Sequence, residues 1–363
     1  EIPLRLVGSE MCIRDRSGGA GSLASSTRAL FGGGYSNTTN AIQYVEIMTL
    51  GNASDFGDLR SRSNFEYIAT ASSSVRGFFM ANGDAGNNQN SDVDVVTIAS
   101  KGNSVKFGDM THKRGQSASF SNSTRAIQAC GSDGPSARST NTIDYITMSS
   151  DGTGIDFGDS PNSVSQLKTG AASQTRGCFA GGTTDGSDAI NTINFIQIAT
   201  TGNAQDFGDL TQARRQLGGC SNDTRGLFGS GRVSDPVNTI DFVTIATTGD
   251  ASDFGDVTTA ARYLGSTSST TRGFWFGGNA PSATNVINFV TIATTGDASD
   301  FGDLTEAKPY PTGCSSSTRA ITFGGMVSAP NYVNTIEFFL SLIHISEPTR
   351  RRGMSYAVFC LKK

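Results

Sequence analysis

Residues 271–304 read TRGFWFGGNAPSATNVINFVTIATTGDASDFGDL, and two earlier stretches say nearly the same thing. Residues 224–257 read TRGLFGSGRVSDPVNTIDFVTIATTGDASDFGDV, and residues 175–210 read TRGCFAGGTTDGSDAINTINFIQIATTGNAQDFGDL. The Arg of this unit recurs at Arg28, Arg76, Arg125, Arg176, Arg225, Arg272 and Arg319, at spacings of 47–51 residues. The Phe of the FGD element recurs at Phe56, Phe107, Phe157, Phe207, Phe254 and Phe301. Six full repeats and a shortened seventh follow from these anchors. Each repeat divides into four strand-like pieces, as in ARYLGSTSS (261–269), TRGFWFGG (271–278), NTIDFVTIATTG (238–249) and DASDFGD (250–256).

Tandem four-stranded units with a period near 50 predict an all-β, seven-bladed β-propeller whose last blade is incomplete. Blades are expected near 17–58, 59–109, 110–159, 160–209, 210–256, 257–303 and 304–339. The 44 glycines among 363 residues suit short strands joined by tight turns. The third piece is apolar on both faces, with Ile240 and Phe242 on one and Val243 and Ile245 on the other, as a strand between adjacent blades should be. The residue after the Arg is always Gly or Ala, which predicts a close approach of backbone from the neighbouring sheet.

The ends read differently. Residues 1–16 (EIPLRLVGSEMCIRDR) and 340–363 (LSLIHISEPTRRRGMSYAVFCLKK) do not match the repeat. Both resemble translated sequencing-adapter read-through, which implies non-native, unstructured segments flanking a propeller at 17–339 and the loss of a closing strand. Setting aside three basic and three acidic residues in 1–16, and five basic and one acidic in 340–363, leaves 20 against 28, a net charge of −8. An acidic propeller without a basic stripe argues against nucleic acid as partner. No apolar stretch approaches a membrane span, so membrane insertion is not expected. Cys130, Cys178, Cys220 and Cys314 fall on positions too far apart around a ring to bridge, and are expected to be free core residues.

The double Gly after the second strand (Gly181-Gly182, Gly277-Gly278, Gly324-Gly325) and the apolar third strand resemble the kelch repeat, with the FGD Phe in place of the kelch Trp. The pattern TRGxFxGG…NTIxFxxIATTG…DFGDLT is more specifically similar to tandem-repeat proteins of marine tailed phages, especially cyanophages. That resemblance implies a virion structural or tail-fibre-like protein, located in the virion if phage-encoded. Its partners would be a host cell-surface glycan or protein, or other virion proteins. A bacterial kelch-like protein-interaction scaffold is the alternative, and a propeller glycan hydrolase or lyase a third reading.

The repeated Arg and the FGD Asp (Asp58, Asp109, Asp159, Asp209, Asp256, Asp303) predict a repeated structural Arg–Asp bridge, within or between blades, that fixes register. The preceding Asp (Asp55, Asp156, Asp206, Asp253, Asp300) reads as a turn cap beside Gly, because two carboxylates are too few for a calcium loop. With His344 in the non-repeat tail, His112 alone remains, too few for a His-dependent triad or a multi-histidine metal site. No catalytic residues, metal or cofactor are therefore assigned, and the chain reads as a non-enzyme. Trp275, with Phe274 and Phe276, reads as blade core rather than as a sugar platform.

Comparison of the repeats with one another points to a face. The turns before TRG and between the third and fourth strands barely change, whereas the segments after the double Gly and the links between blades vary freely. In a propeller these two variable sets share one face, and function tends to sit on loops held by a rigid scaffold. Tyr35, Asn87, Arg138, Arg232, Tyr310 and Tyr332 are the candidate ligand contacts there.

Overall fold

The computed structural model describes residues 11–12, 18–34, 40–49, 51–60, 68–81, 89–134, 138–150, 152–167, 170–184, 188–328 and 331–340. Seven four-stranded antiparallel sheets form the blades of a β-propeller, and the described residues contain no helix. The fifth blade is representative, with strands Gly218–Ser221, Arg225–Gly229, Thr239–Thr244 and Ser252–Asp256 in spatial order. The first strands of all seven blades contact one another in sequence, and that of the seventh returns to the first, so the ring is closed around them.

Burial follows this radial order. Second strands such as Arg225–Gly229 are buried on both faces after their Arg, whereas of the fourth strand Ser252–Asp256 only Phe254 is fully buried. Ile240 and Phe242 pack into the cluster shared with the sixth blade, and Val243 and Ile245 into the one shared with the fourth. The expected two-sided burial of the third strand is thus the packing observed. Seven such clusters fill the seven spaces between blades, including one between the last blade and the first.

The seventh blade consists of Thr312–Ser315, Arg319–Phe323 and Thr335–Leu340, and its fourth position is taken by Met11–Cys12. Met11 pairs with Ile336 and Cys12 with Thr335. The incomplete blade expected from the repeat is therefore completed by two residues of the segment placed outside the ring. An unpaired edge offers free N–H and C=O groups, and a strand from the opposite end of the ring satisfies them. The remainder of 1–16 and residues 341–363 lie outside the described residues.

Among the described ion pairs no anchor Arg meets an FGD Asp. Arg28 pairs with Glu46 at 2.6 Å. Instead the guanidinium reaches a backbone carbonyl of the next blade: Arg125 donates to Ile198 O at 2.7 Å, Arg176 to Ala246 O at 2.8 Å, Arg225 to Ile292 O at 2.9 Å and Arg319 to Ile47 O at 2.7 Å. Six of the seven anchors also lie over an aromatic ring of their own third strand, from Tyr44 to Phe338, at 4.3–5.0 Å; the second blade has Val95 in that place. A carbonyl is available at every blade whatever its side chains, so the latch repeats without a conserved acid.

The FGD element uses its backbone. Phe207 O and Asp209 O accept from the N–H groups of Gly249 and Ala251 in the next blade at 2.7 and 2.8 Å, and the same clamp recurs at Phe56, Phe157 and Phe254. The preceding Asp caps the turn as expected, Asp156 Oδ1 accepting from Gly158 N–H at 2.9 Å and Asp253 Oδ1 from Gly255 N–H at 3.0 Å. The small residue after the Arg has a different cause from the backbone approach expected. A Cβ on Gly77 would lie 2.6 Å from the Leu23 side chain, and one on Gly273 would lie 3.2 Å from Cys220 Cβ. A first-strand side chain of the preceding blade fills the space.

Cys130, Cys178, Cys220 and Cys314 are free and buried. Burial pushes each of these thiols up to about 12, so they stay protonated and unreactive through neutral pH. Titration of native protein with an aromatic disulfide should report at most two of the six cysteines, and all six in denaturant. Prompt reaction of more than two in the native state would contradict this packing.

Candidate functional site

Seven first strands converge on one axis, which leaves room for small side chains and encloses a cavity of about 350 Å³. Its lining draws on every blade and includes the hydroxyls of Ser22, Thr70, Ser119, Ser221, Ser266 and Thr312, with no acidic or basic side chain among the described residues. Most of these hydroxyls already serve the fold. Thr70 donates to Ser22 O at 2.6 Å, Ser22 to Gly313 O at 3.0 Å and Ser221 to Ala172 O at 3.0 Å, each binding a blade to its neighbour.

The cavity runs from Gly19 and Tyr310 at one end to Ser121, Ala172, Ser221 and Ser268 at the other, where these residues also line a second opening. At the face of the invariant turns a wider opening of about 670 Å³ is ringed by Ser, Thr and Asn. The first residue of each turn is committed there: Ser25, Ser73, Asn122, Ser173, Asn222, Ser269 and Ser316 all accept from the backbone N–H of the Arg three residues on. Such side-chain-capped turns explain why TRG and its approach hardly vary.

At the opposite mouth the backbone is unusual. Gln116, Gln216, Tyr263 and Tyr310 stand two residues before their first strands and Gln166 five before its own, and all have φ between 54° and 60°. Gly19 holds the corresponding place in the first blade at φ 66°. Only glycine enters this region without cost, and a side chain held there costs on the order of 1 kcal/mol or more. The five side chains therefore stand where the backbone alone would favour glycine.

Four of them, Gln166, Gln216, Tyr263 and Tyr310, form one connected arc. Gln216 Nε2 donates to Gln166 Oε1 at 2.9 Å and to Tyr263 Oη at 2.8 Å. Tyr263 and Tyr310 stack with ring centres 4.4 Å apart and planes inclined by 30°. Tyr310 N–H donates to Tyr263 O at 2.8 Å, and Gly19 N–H to Tyr310 O at 3.2 Å. Gln216 is 7% exposed, yet its Oε1 has no hydrogen-bond partner. A buried amide oxygen left open at a cavity mouth is costly unless a ligand or water completes it.

Buried ion pairs hold this arc in place. Arg214 and Asp241 are both fully buried and meet at 2.9 Å, and Asp241 also accepts from the N–H and hydroxyl of Thr211. Arg114 with Asp144 and Lys308 with Glu337 repeat the arrangement. Burial pushes the Arg214 guanidinium below its usual value, with Asp241 the main group holding it up. Arg114, Arg214 and Lys308 each lie two residues before Gln116, Gln216 and Tyr310. The latch thus fixes the linker where the positive-φ residue must turn inward. In the sixth blade Asn288 Oδ1 accepts the same two bonds from Thr258, and Ala261 stands in the place of the cation.

Of the expected contacts, Tyr310 is on the arc. Tyr332 is half-buried in the strand pair Met326–Ser328 and Asn331–Tyr332, and a Cβ on Gly18 would lie 2.8 Å from its Cδ1, next to the arc at Gly19. Arg232 is half-buried and bridges by its backbone to Arg215, the neighbour of Gln216. Arg138 is exposed, with no described contact to the others. Tyr35 and Asn87 lie outside the described residues. Trp275 is buried with Nε1 donating to Gly218 O at 3.1 Å, core as expected. Gln166, Gln216 and Tyr263 were missed from sequence, although each stands in the variable blade-to-blade link shortly before a first strand. The buried carboxylates were also missed, although TID and TIE place an acid within an apolar run. No protein-family model and no curated protein sequence matches the chain.

Proposed function

We propose that this chain is a non-enzymatic binding propeller that holds a cell-surface glycan at the Gln166–Gln216–Tyr263–Tyr310 mouth. The observation that carries the reading is the ring of Gln and Tyr side chains held at positive φ, a strain that the fold itself does not require at Gly19. Stacked tyrosines offer an apolar face to a sugar ring, and the amides and cavity hydroxyls suit its hydroxyl groups. The likeness of the repeat to phage virion proteins supports a place on a virion, with the sugar on the host surface. Flanking tail or baseplate genes fit that placement, and flanking metabolic genes would remove it.

The test uses glycine, which suits the backbone but removes the contacts. Tyr263→Gly with Tyr310→Gly should leave folding stability within about 1 kcal/mol, because relief of strain offsets the lost ring stack. Binding to the glycans that wild type selects on an array should fall roughly tenfold or more. Unchanged binding by the double variant would move the site elsewhere, and release of reducing sugar from a bound glycan would overturn the non-enzymatic reading.

A further inference from the structure

Three arginines gather immediately outside the aromatic arc. Arg215 and Arg232 face each other across a bridge, exchanging backbone N–H···O=C bonds of 3.0 and 2.9 Å, which puts their side chains on one side of the ribbon. Arg262 lies in the next link, its guanidinium carbon 5.3 Å from the Tyr263 ring centre. Arg215 immediately precedes Gln216 and Arg262 immediately precedes Tyr263, so cations and arc residues are chain neighbours in both links.

These like charges act on one another. Burial is the first cause that pushes Arg215 below its usual value, and Arg232 and Arg262 push it further, while Tyr263 and Asp188 oppose them. Asp188 is the carboxylate that faces Arg215. Asp235, in the loop of Arg232, lies within 3.4 Å of the Ser234 hydroxyl. No described ion pair includes Arg232 or Arg262, and the enclosed Nε of Arg232 has no acceptor. Arg232 and Arg262 differ in this from Arg114, Arg214 and Lys308, each of which is buried against its own carboxylate.

We propose that Arg215, Arg232 and Arg262 bind a carboxylate or sulfate group of the glycan whose ring lies on Tyr263 and Tyr310. The inference rests on the glycan reading above and names the class of sugar, an acidic one. Guanidinium groups match such oxyanions by paired hydrogen bonds, and three converging on one anion remove their own repulsion.

The experiment compares wild type with the double variant Arg232→Gln and Arg262→Gln by calorimetric titration. The titrants are an oligogalacturonate, a sulfated galactan oligosaccharide, a neutral galactan oligosaccharide and inorganic phosphate. Wild type is expected to bind at least one acidic oligosaccharide roughly tenfold or more tighter than the neutral one, with the advantage shrinking as salt rises. The double variant should lose that advantage and keep the wild-type melting temperature, since neither residue belongs to a described ion pair. Equal binding of neutral and acidic sugars by wild type, or an unchanged preference in the variant, overturns the anion site and leaves the glycan reading standing. Binding of none of the sugars overturns the glycan reading itself. Phosphate binding as tightly as the acidic oligosaccharide overturns the proposal too, because the sugar ring would then contribute nothing.

Discussion

Asp241→Ala is expected to destabilise the propeller by about 3–5 kcal/mol, because it leaves the Arg214 guanidinium buried without its counter-charge. Arg214 and Asp241 are 0% exposed, and the carboxylate also carries the Thr211 bonds. The double variant Arg214→Ala with Asp241→Asn should recover most of that loss. It copies the sixth blade, where Ala261 and Asn288 stand in the same two places and Asn288 still holds Thr258. Equilibrium denaturation of the three proteins measures the difference. A double variant as unstable as Asp241→Ala would mean that the ion pair is more than a replaceable latch. The blades differ from one another in this way already: charged in the third, fifth and seventh, neutral in the sixth.

Gly208→Ala should cost about 3–5 kcal/mol, and Gly249→Ala less, about 1–3 kcal/mol. The two glycines have similar φ, 140° and 152°, so the strain of adding a side chain is comparable. They differ in surroundings. A Cβ on Gly208 would lie 2.5 Å from the Gly249 carbonyl carbon in the next blade, whereas one on Gly249 meets nothing within 4 Å. The excess cost at Gly208 therefore reads the closeness of the inter-blade clamp alone. Equal melting temperatures for the two variants would show that the clamp yields easily.

Much of the ring is legible in the residues. The spacing of the Arg and Phe anchors carries the blade number, and Ile240, Phe242, Val243 and Ile245 carry the two-sided burial of the third strand. The turn-capping Asp156 and Asp253 are readable because Asp beside Gly has few other uses. The partner of the Arg anchor is not readable, since its acceptor is a backbone carbonyl and carbonyls leave no mark in a sequence. The pairing of Met11–Cys12 with the last blade is hidden for a similar reason, being carried by main-chain groups.

The candidate site is legible in part. Loop variability selects the face on which the Gln–Tyr arc stands, with Tyr310 and Arg232 on it, but it does not single out Gln166, Gln216 or Tyr263. Their distinguishing property is a positive φ, and a Gln or Tyr gives no hint of it, whereas the glycine at Gly19 would. The buried carboxylates were visible as TID and TIE, but their basic partners lie about 30 residues upstream, a separation that only the folded blade closes.

The mouth breaks the symmetry of the ring that builds it. Following the axis round, successive positions carry glycine, three glutamines and two tyrosines among the described blades, so one arc is amide and another aromatic. A bound molecule cannot therefore exchange between seven equivalent azimuths, as it could on a perfectly repeated rim. A glycan held there as proposed would have one preferred rotation about the axis, its apolar face turned towards the sixth and seventh blades and its polar edge towards the fourth and fifth. On the proposed reading, a scaffold of near-identical blades would gain a directional grip on its ligand from six residues.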